Sequence, residues 1–454
     1  MSEREFDVIV IGMGPGGEFV AEELAKAGFS VAAVEESLVG GECPYWGCVP
    51  SKMMIRAGNL LAEGHRIPGM AGTSVISPSW APVAKRIRVE ATDNWDDKVA
   101  ADRFTGLGGT LYRGHGKLAG PGQVTVGDEL LHARRGVVLN PGTAPSIPPI
   151  DGLSATPYWT NHQAIECEEV PISLLVLGGG AIGAELAQVY ARFGTAVTII
   201  EASGRMLPAE EPESAALIEK IFRADQITVQ TGASAERVSH DGHAFSITLA
   251  GGREINGARL LVATGRKADL ASLGVASIGL DEHARSLKVD AAMQAAPGVW
   301  ALGDVVGHGA FTHMSMYHGG IILDQLLGRP FHPAEYHAVP RVTFTDPEIG
   351  SVGLTEAEAR EQFGDGVATA LGQLPVSTRG WIHKAGNDGF IKLVADTGSG
   401  VLVGATSAGP TGGEVLSMLT LAVHARIPVQ RLREMIYAYP TFHRAVGETL
   451  AKLG

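Results

Sequence analysis

Apolar residues run in short blocks separated by glycine-rich turns, and the period of the pattern changes along the chain. Near the N-terminus DVIVI, Asp7 to Ile11, is an apolar run of strand length; a glycine turn follows, then apolar positions at helical spacing. A second strand closes the segment with Glu35 at its end. The same succession recurs in LLVLGGGAIGAELAQVYARFGTAVTIIE, which ends in Glu201. SKMMIRAGNLLAEG predicts a helix, and WAPVAKRIRVEATDNWDDKVAADRFTGLG a charged amphipathic helical stretch with a solvated face. PFHPAEYHAVP reads as a linker. Beyond it GFIKLVAD and VLVGATSAG alternate like strands, and EVLSMLTLAVHARI is helical, which predicts a C-terminal α+β domain.

Composition narrows the class. At 454 residues the chain is too long for one ordinary core and should form two to four domains. A net charge of -13, with no basic stripe, argues against nucleic acid. No apolar run reaches about 18 residues, and the start MSEREFDVIVIG lacks a basic n-region and cleavage site. The expectation is a cytoplasmic protein without membrane insertion. In a reducing compartment a close cysteine pair is more often catalytic or metal-binding than a permanent bridge.

Such a pair stands in GGECPYWGCVPSK, as Cys43 and Cys48. Residues five apart on a regular helix are separated by ~7.5 Å along the axis, beyond the ~7 Å Cα limit for a disulfide. Bridging therefore needs an irregular entry to the helix, and Pro44, Gly47 and Pro50 supply the means. Spacing alone leaves a redox pair, two buried thiols and a metal site all open, although further metal ligands are lacking nearby.

The flanking glycines carry chemistry of their own. Gly12, Gly14 and Gly17 follow a strand and open a helix, an arrangement that lets a pyrophosphate approach the backbone at a helix N-terminus, while Glu35 can accept from ribose hydroxyls. Gly178, Gly180 and Gly183 repeat the pattern. Two complete units imply two dinucleotides. Glu201 would repel a 2'-phosphate, which favours NADH over NADPH, with nearby Arg205 as a softening influence.

Together these segments resemble the pyridine nucleotide-disulfide oxidoreductases, the flavoproteins that include lipoamide dehydrogenase, glutathione reductase and mercuric reductase. The family's redox motif reads roughly GGTCxNxGCxPSK, matched here at both cysteines and at Pro50, Ser51 and Lys52. VVLNPGTAPSIPPIDG resembles its first ATG-type segment, with Asn140 and Pro141 as departures; LLVATGRKADL, with Gly265, resembles the second; and VWALGDVVG resembles the flavin-ribityl motif. The resemblance implies two Rossmann-like α/β domains, for FAD and NAD(P), and an α+β interface domain through which a homodimer forms. It implies domain limits of 1–150 and 268–333 for FAD, 151–267 for NAD(P) and 334–454 for the interface. It further implies that Asp304 binds ribitol, that Gly116 belongs to the cofactor site, and that Lys52 pairs with Glu185 beside the flavin. Cys48 would face the flavin and Cys43 would exchange with a small-molecule or small-protein acceptor.

The C-terminus departs from the pattern. The family's HPTxxE segment supplies a histidine oriented by a glutamate, but here the run is AYPTFHR, with Tyr439 and Arg444 at those positions. Phenols ionise near pH ~10 and shuttle protons poorly at neutral pH. His443 could substitute if it lies one helical turn on; the bland reading is an interface histidine. Mercuric reductases carry a tyrosine near this position but add a C-terminal cysteine pair, which ETLAKLG lacks. Three functions stay open: a reductase working through Cys43 and Cys48, a diaphorase, quinone reductase or transhydrogenase whose electrons leave directly from flavin, and a non-enzymatic NAD(H)-binding protein.

Overall fold

The apolar runs that end at glycine turns form the centres of two parallel sheets in a computed structural model that describes residues 2–453. The chain divides into two compact units. One holds the residues up to Pro50, Lys85–Ser146 and Arg266–Tyr336; the other holds Ser51–Ala84, Ile147–Gly265 and the chain from His337 onward.

In the first unit, strand Ser2–Ile11 lies between Val31–Glu35 and Glu129–Leu139, parallel to both. The sheet continues through Thr110–Arg113 on one side and Val299–Ala301 and Gln294–Ala296 on the other. Val8, Ile9 and Val10 are fully buried, as a parallel strand covered on both faces requires. Helices Pro15–Lys26 and Thr312–Leu326 pack together so closely that a Cβ at Gly16 would lie 2.2 Å from Ser315 Oγ.

The second unit repeats the arrangement. Strand Ser173–Leu177 lies between Ala196–Ile200 and Arg259–Val262, all parallel, with Thr228–Gln230 at the edge. An antiparallel sheet of Ala235–His240, Phe245–Leu249 and Glu254–Gly257 follows. The C-terminal sheet is antiparallel, ordered Pro340–Thr343, Glu348–Gly353, Val401–Gly409, Phe390–Asp396 and Val367–Gln373. Helices Gly412–His424 and Phe442–Leu450 close its core through Leu416, Leu419 and Val446.

The charged stretch after Trp80 differs from the single helical stretch its periodicity suggests. Helix Ala81–Arg86 runs into a π-helical turn, Ile87–Ala91, and Asp93, Asn94 and Trp95 then adopt φ of 47°, 59° and 58° before helix Lys98–Gly106. Asp and Asn enter the left-handed region most readily, and Thr92 stabilises the break by donating to the carbonyls of Ile87 and Arg88 at 3.1 Å. Nor is this stretch only a solvated face: Asp97 accepts the Val39 N–H at 2.6 Å and a bidentate pair from Arg113 at 2.6 and 2.8 Å, which anchors the loop after Glu35. Among the described residues no helix is long and apolar enough to cross a membrane.

Candidate active site

Both glycine turns are built on one steric scheme. A Cβ at Gly12 would lie 2.1 Å from the Asn140 carbonyl oxygen, and one at Gly17 would lie 2.1 Å from that of Gly12. In the second unit a Cβ at Gly178 would lie 2.3 Å from Ala263 O, and one at Gly183 2.1 Å from Gly178 O. Gly180 is different, because nothing lies within 4 Å of its added Cβ. Protein packing gives no reason for a glycine there; close approach of a pyrophosphate does. At Gly14 the nearest atom is the Asn140 side-chain amide, 3.2 Å away.

The two acids repeat as well. Glu35 accepts the Met13 and Ser37 N–H groups, both at 2.7 Å, and Glu201 accepts those of Gly179 and Ser203, both at 2.6 Å. Each carboxylate thus fixes the backbone just after the first glycine, and each oxygen, with one of these bonds, keeps acceptor capacity for a ribose hydroxyl. Burial pushes the Glu35 pKa up, partly offset by its two backbone donors. These turns fit dinucleotides of the kind the family binds.

Around the first turn the departures from the family pattern are accommodated. The buried Asn140 donates from Nδ2 to Gly12 O at 3.2 Å, and Ser315 Oγ lies 3.4 Å from its Oδ1. Asp304 accepts from the Thr143 hydroxyl at 2.9 Å; Arg266 Nε donates to the same hydroxyl at 3.0 Å, and Arg266 Nη1 lies 3.5 Å from Glu42. Burial raises the Asp304 pKa, against the pull of Thr143 and Arg266. Gly116 is explained by packing, since its Cβ would meet Ile11 and Val34 at 3.0 Å. Gly265, at φ +113°, has open space around it in the second unit.

The thiol loop leans on the first glycine turn. Gly40 N–H bonds Met13 O at 2.7 Å, and a Cβ at Gly41 would lie 2.8 Å from Gly14 Cα. A short helix, Glu42–Tyr45, then ends at Trp46, and helix Cys48–Arg66 begins after Gly47. A side chain at Gly47 would come within 2.9 Å of Glu42 O and 3.3 Å of Cys43 Cα. The chain turns back there and brings the cysteines together. Neither is in a disulfide. Hydrogen bonding to the Cys48 sulfur, and burial, hold the Cys43 thiol far above the usual range, with Thr312 pulling the other way. Thr312 Oγ1 also lies 3.5 Å from Cys48 Sγ. Sequence reasoning missed this threonine, because it stands 264 positions away with no spacing signal to betray it.

In the second unit Lys52 Nζ lies 2.9 Å from Glu185 Oε2 and 4.6 Å from the centre of the Phe344 ring. Glu185 also accepts the Phe344 N–H at 2.8 Å. Its carboxylate is almost wholly buried, so loss of Lys52 would leave a costly uncompensated charge. Tyr439 and His443 lie on the C-terminal domain. Tyr439 is 69% exposed and precedes helix Phe442–Leu450, so the two candidates do not share a helical turn. Thr441 caps that helix by accepting the Arg444 N–H at 3.2 Å, and the Arg444 side chain approaches Glu448 at 3.7 Å. Tyr437 is buried and donates to Leu432 O at 3.0 Å, which marks it as structural.

Residues 6–319 match the family model described as pyridine nucleotide-disulphide oxidoreductase, and residues 339–450 match that family's dimerisation domain. The chain is 32% identical to a mercuric reductase of Streptomyces lividans, over 97% of this chain and 94% of that one. It is also 32% identical to a dihydrolipoyl dehydrogenase of Thermus scotoductus, over 99% and 98%. Its fold superposes with a TM-score of 0.87 on a Cu(II) complex of the HOCl-induced flavoprotein disulfide reductase RclA from Escherichia coli, at 25% identity, covering 99% of this chain and 100% of that one.

Proposed function

The chain belongs to the pyridine nucleotide-disulphide oxidoreductases, and from that premise we propose that it moves electrons from NAD(P)H to a Cys43–Cys48 disulfide and on to a thiol-reactive acceptor. FAD, when bound, supplies the two-electron relay between nicotinamide and sulfur. Gly12, Gly14, Gly17, Glu35 and Asp304 would hold it, with Gly116 behind them and Lys52, paired with Glu185, as the family's flavin-side cation. Gly178, Gly180, Gly183, Glu201 and Gly265 would hold the pyridine nucleotide. NADH is preferred, because Glu201 disfavours a 2'-phosphate and Arg205 is turned to the carbonyls of Pro208 and Glu210, at 2.9 Å each. The domain limits given above, a homodimer and a cytoplasmic setting complete the reading.

The contact of Cys43 with Cys48 across Gly47 carries this proposal. Net reduction breaks the S–S bond, with one hydride equivalent from NADH and one proton from solvent appearing as two thiols. Cys48 opens the 19-residue helix Cys48–Arg66, whose N-terminal dipole favours negative charge on its sulfur.

A disulfide acceptor needs a proton delivered to its leaving thiol, whereas a thiophilic metal ion does not. With Tyr439 in place of the family's histidine, the balance favours a metal ion, either one that takes two electrons or two that take one each, as the pair returns to the disulfide. The mercuric reductase relatives and the Cu(II) complex of RclA point the same way. Tyr439 and His443 are the groups left to handle protons.

Anaerobic titration with NADH tests the thiol route. Four electrons taken up per flavin, with a long-wavelength thiolate-flavin band that is lost in Cys48→Ser, are expected. Uptake of two electrons with no band, and full quinone turnover in the Cys43→Ser and Cys48→Ser variants, would establish the diaphorase instead.

A further inference from the structure

We propose that the loop after Glu201 is a preset clasp for the pyridine nucleotide, and that Arg341 and Ser351 of the C-terminal sheet are the positioning residues that hold it. The inference deepens the function proposed above and rests on Glu201 facing the nucleotide ribose. The loop is strained where it crosses the glycine turn. Leu207 is buried at φ +46°, a conformation that a branched side chain rarely adopts, and its N–H bonds Gly179 O at 2.9 Å. Met206 closes the same turn, its sulfur 2.6 Å from where a Cβ of Gly179 would be. Gly179 is also the residue whose N–H Glu201 accepts. The pose of the acid, of the glycine turn and of Leu207 is therefore one arrangement.

That arrangement is pinned from its far end. Buried Glu210 accepts from Arg341 Nε at 2.7 Å and from the Ser351 hydroxyl, while Arg341 Nη2 reaches Ala209 O at 3.2 Å. Glu211 accepts the Glu356 N–H at 2.7 Å and Lys392 Nζ at 3.0 Å, and Lys392, itself buried, also pairs with Glu213 at 2.8 Å and Glu356 at 3.0 Å. Strand Pro340–Thr343 supplies Arg341, Glu348–Gly353 supplies Ser351 and Phe390–Asp396 supplies Lys392. Local bonds brace the loop, with Arg205 on the carbonyls of Pro208 and Glu210, the Glu210 N–H on Leu207 O at 2.9 Å and the Met206 N–H on Glu219 Oε1 at 3.1 Å, and Arg341 and Ser351 add a second hold at Glu210. Surroundings that over-determine a strained residue next to a binding group are the mark of preorganisation.

Holoenzyme variants decide the matter through steady-state kinetics with NADH and the FAD content of the purified protein. Arg341→Gln should raise KM for NADH about tenfold, with kcat at saturating NADH and FAD content unchanged; Ser351→Ala, a milder change that leaves the ion pair in place, should raise it less, and Arg341→Lys should recover part of the loss. An unchanged KM in both Arg341→Gln and Ser351→Ala overturns the clasp, as does a fall in kcat with no change in KM. A wild-type chain that takes no electrons from NADH or NADPH would sink the proposed function itself, and the clasp with it.

Discussion

His115 and His318 lie in the same unit and answer pH in opposite senses, for reasons visible only in their partners. Each nitrogen of His115 faces an acceptor, Glu36 Oε2 at 2.7 Å and Ser272 O at 3.0 Å, an arrangement that only the doubly protonated ring satisfies in full. The Ser272 carbonyl and then Glu36 raise its pKa. Its contribution to stability is present below the ordinary histidine pKa and fades as pH rises through the raised value. His318 is fully buried; Nδ1 accepts the Gly303 N–H at 3.2 Å, which leaves the proton on Nε2, 3.2 Å from the Tyr336 hydroxyl. Burial, with a smaller push from His308, lowers its pKa from 6.5 to about 4. Its neutral form holds the backbone beside Asp304, so stability is present above pH 6.5 and is lost as pH falls toward 4. Over that window wild type should lose up to roughly 3 kcal/mol relative to His318→Gln, measured as urea midpoints at a series of pH values. Conversely, the margin of wild type over His115→Gln should shrink as pH rises past the ordinary histidine pKa. Equal acid sensitivity of wild type and His318→Gln would contradict the assignment. No sequence pattern announces either role, because the deciding partners stand 15 and 157 positions away.

At the scale of elements, legibility followed the physics of each signal. The strand-turn-helix units could be read in advance because steric exclusion at Gly12 and Gly178 permits no other residue, and VLVGATSAG became strand Val401–Gly409 although its burial alternates only at the start and is continuous from Gly404 on. The break after Ala91 could not be read, since helical periodicity carries no sign of a π turn followed by left-handed residues. The thiol loop falls between these cases: ideal helix spacing separated the cysteines, and Gly47 is what joins them. Gly47→Ala tests this directly. Its methyl would collide with backbone at Glu42 and Cys43, where no flexible side chain can yield. The variant should retain FAD, be destabilised by about 1–3 kcal/mol, and take up nearer two than four electrons per flavin on anaerobic titration. Four-electron uptake equal to wild type would show that the turn tolerates a side chain and that proximity of the sulfurs has another origin.

At the scale of the whole molecule, the second unit presents apolar groups to solvent that a single chain leaves uncovered: Ile436 is 96% exposed, Val376 82% and Trp381 72%, with Tyr439 at 69%. They lie in the segment that matches the family's dimerisation domain, and covering them with a second copy is the economical outcome of the hydrophobic effect. If the proton-handling groups are contributed across that interface, each site takes its cysteines from one chain and Tyr439 and His443 from the other. Complementation distinguishes this from sites built within one chain. Toward a disulfide, which unlike a metal ion needs a proton on its leaving thiol, Cys48→Ser and the double variant Tyr439→Phe, His443→Ala should each be inactive. In a mixed dimer with shared sites, one site inherits both defects and the other inherits neither. Dissociating and reassociating equal amounts should then restore about a quarter of wild-type activity, because half of randomly formed dimers are mixed and each carries one intact site. Sites confined to one chain would restore none. Full activity toward a disulfide in the Tyr439→Phe, His443→Ala protein before mixing would remove both residues from proton handling.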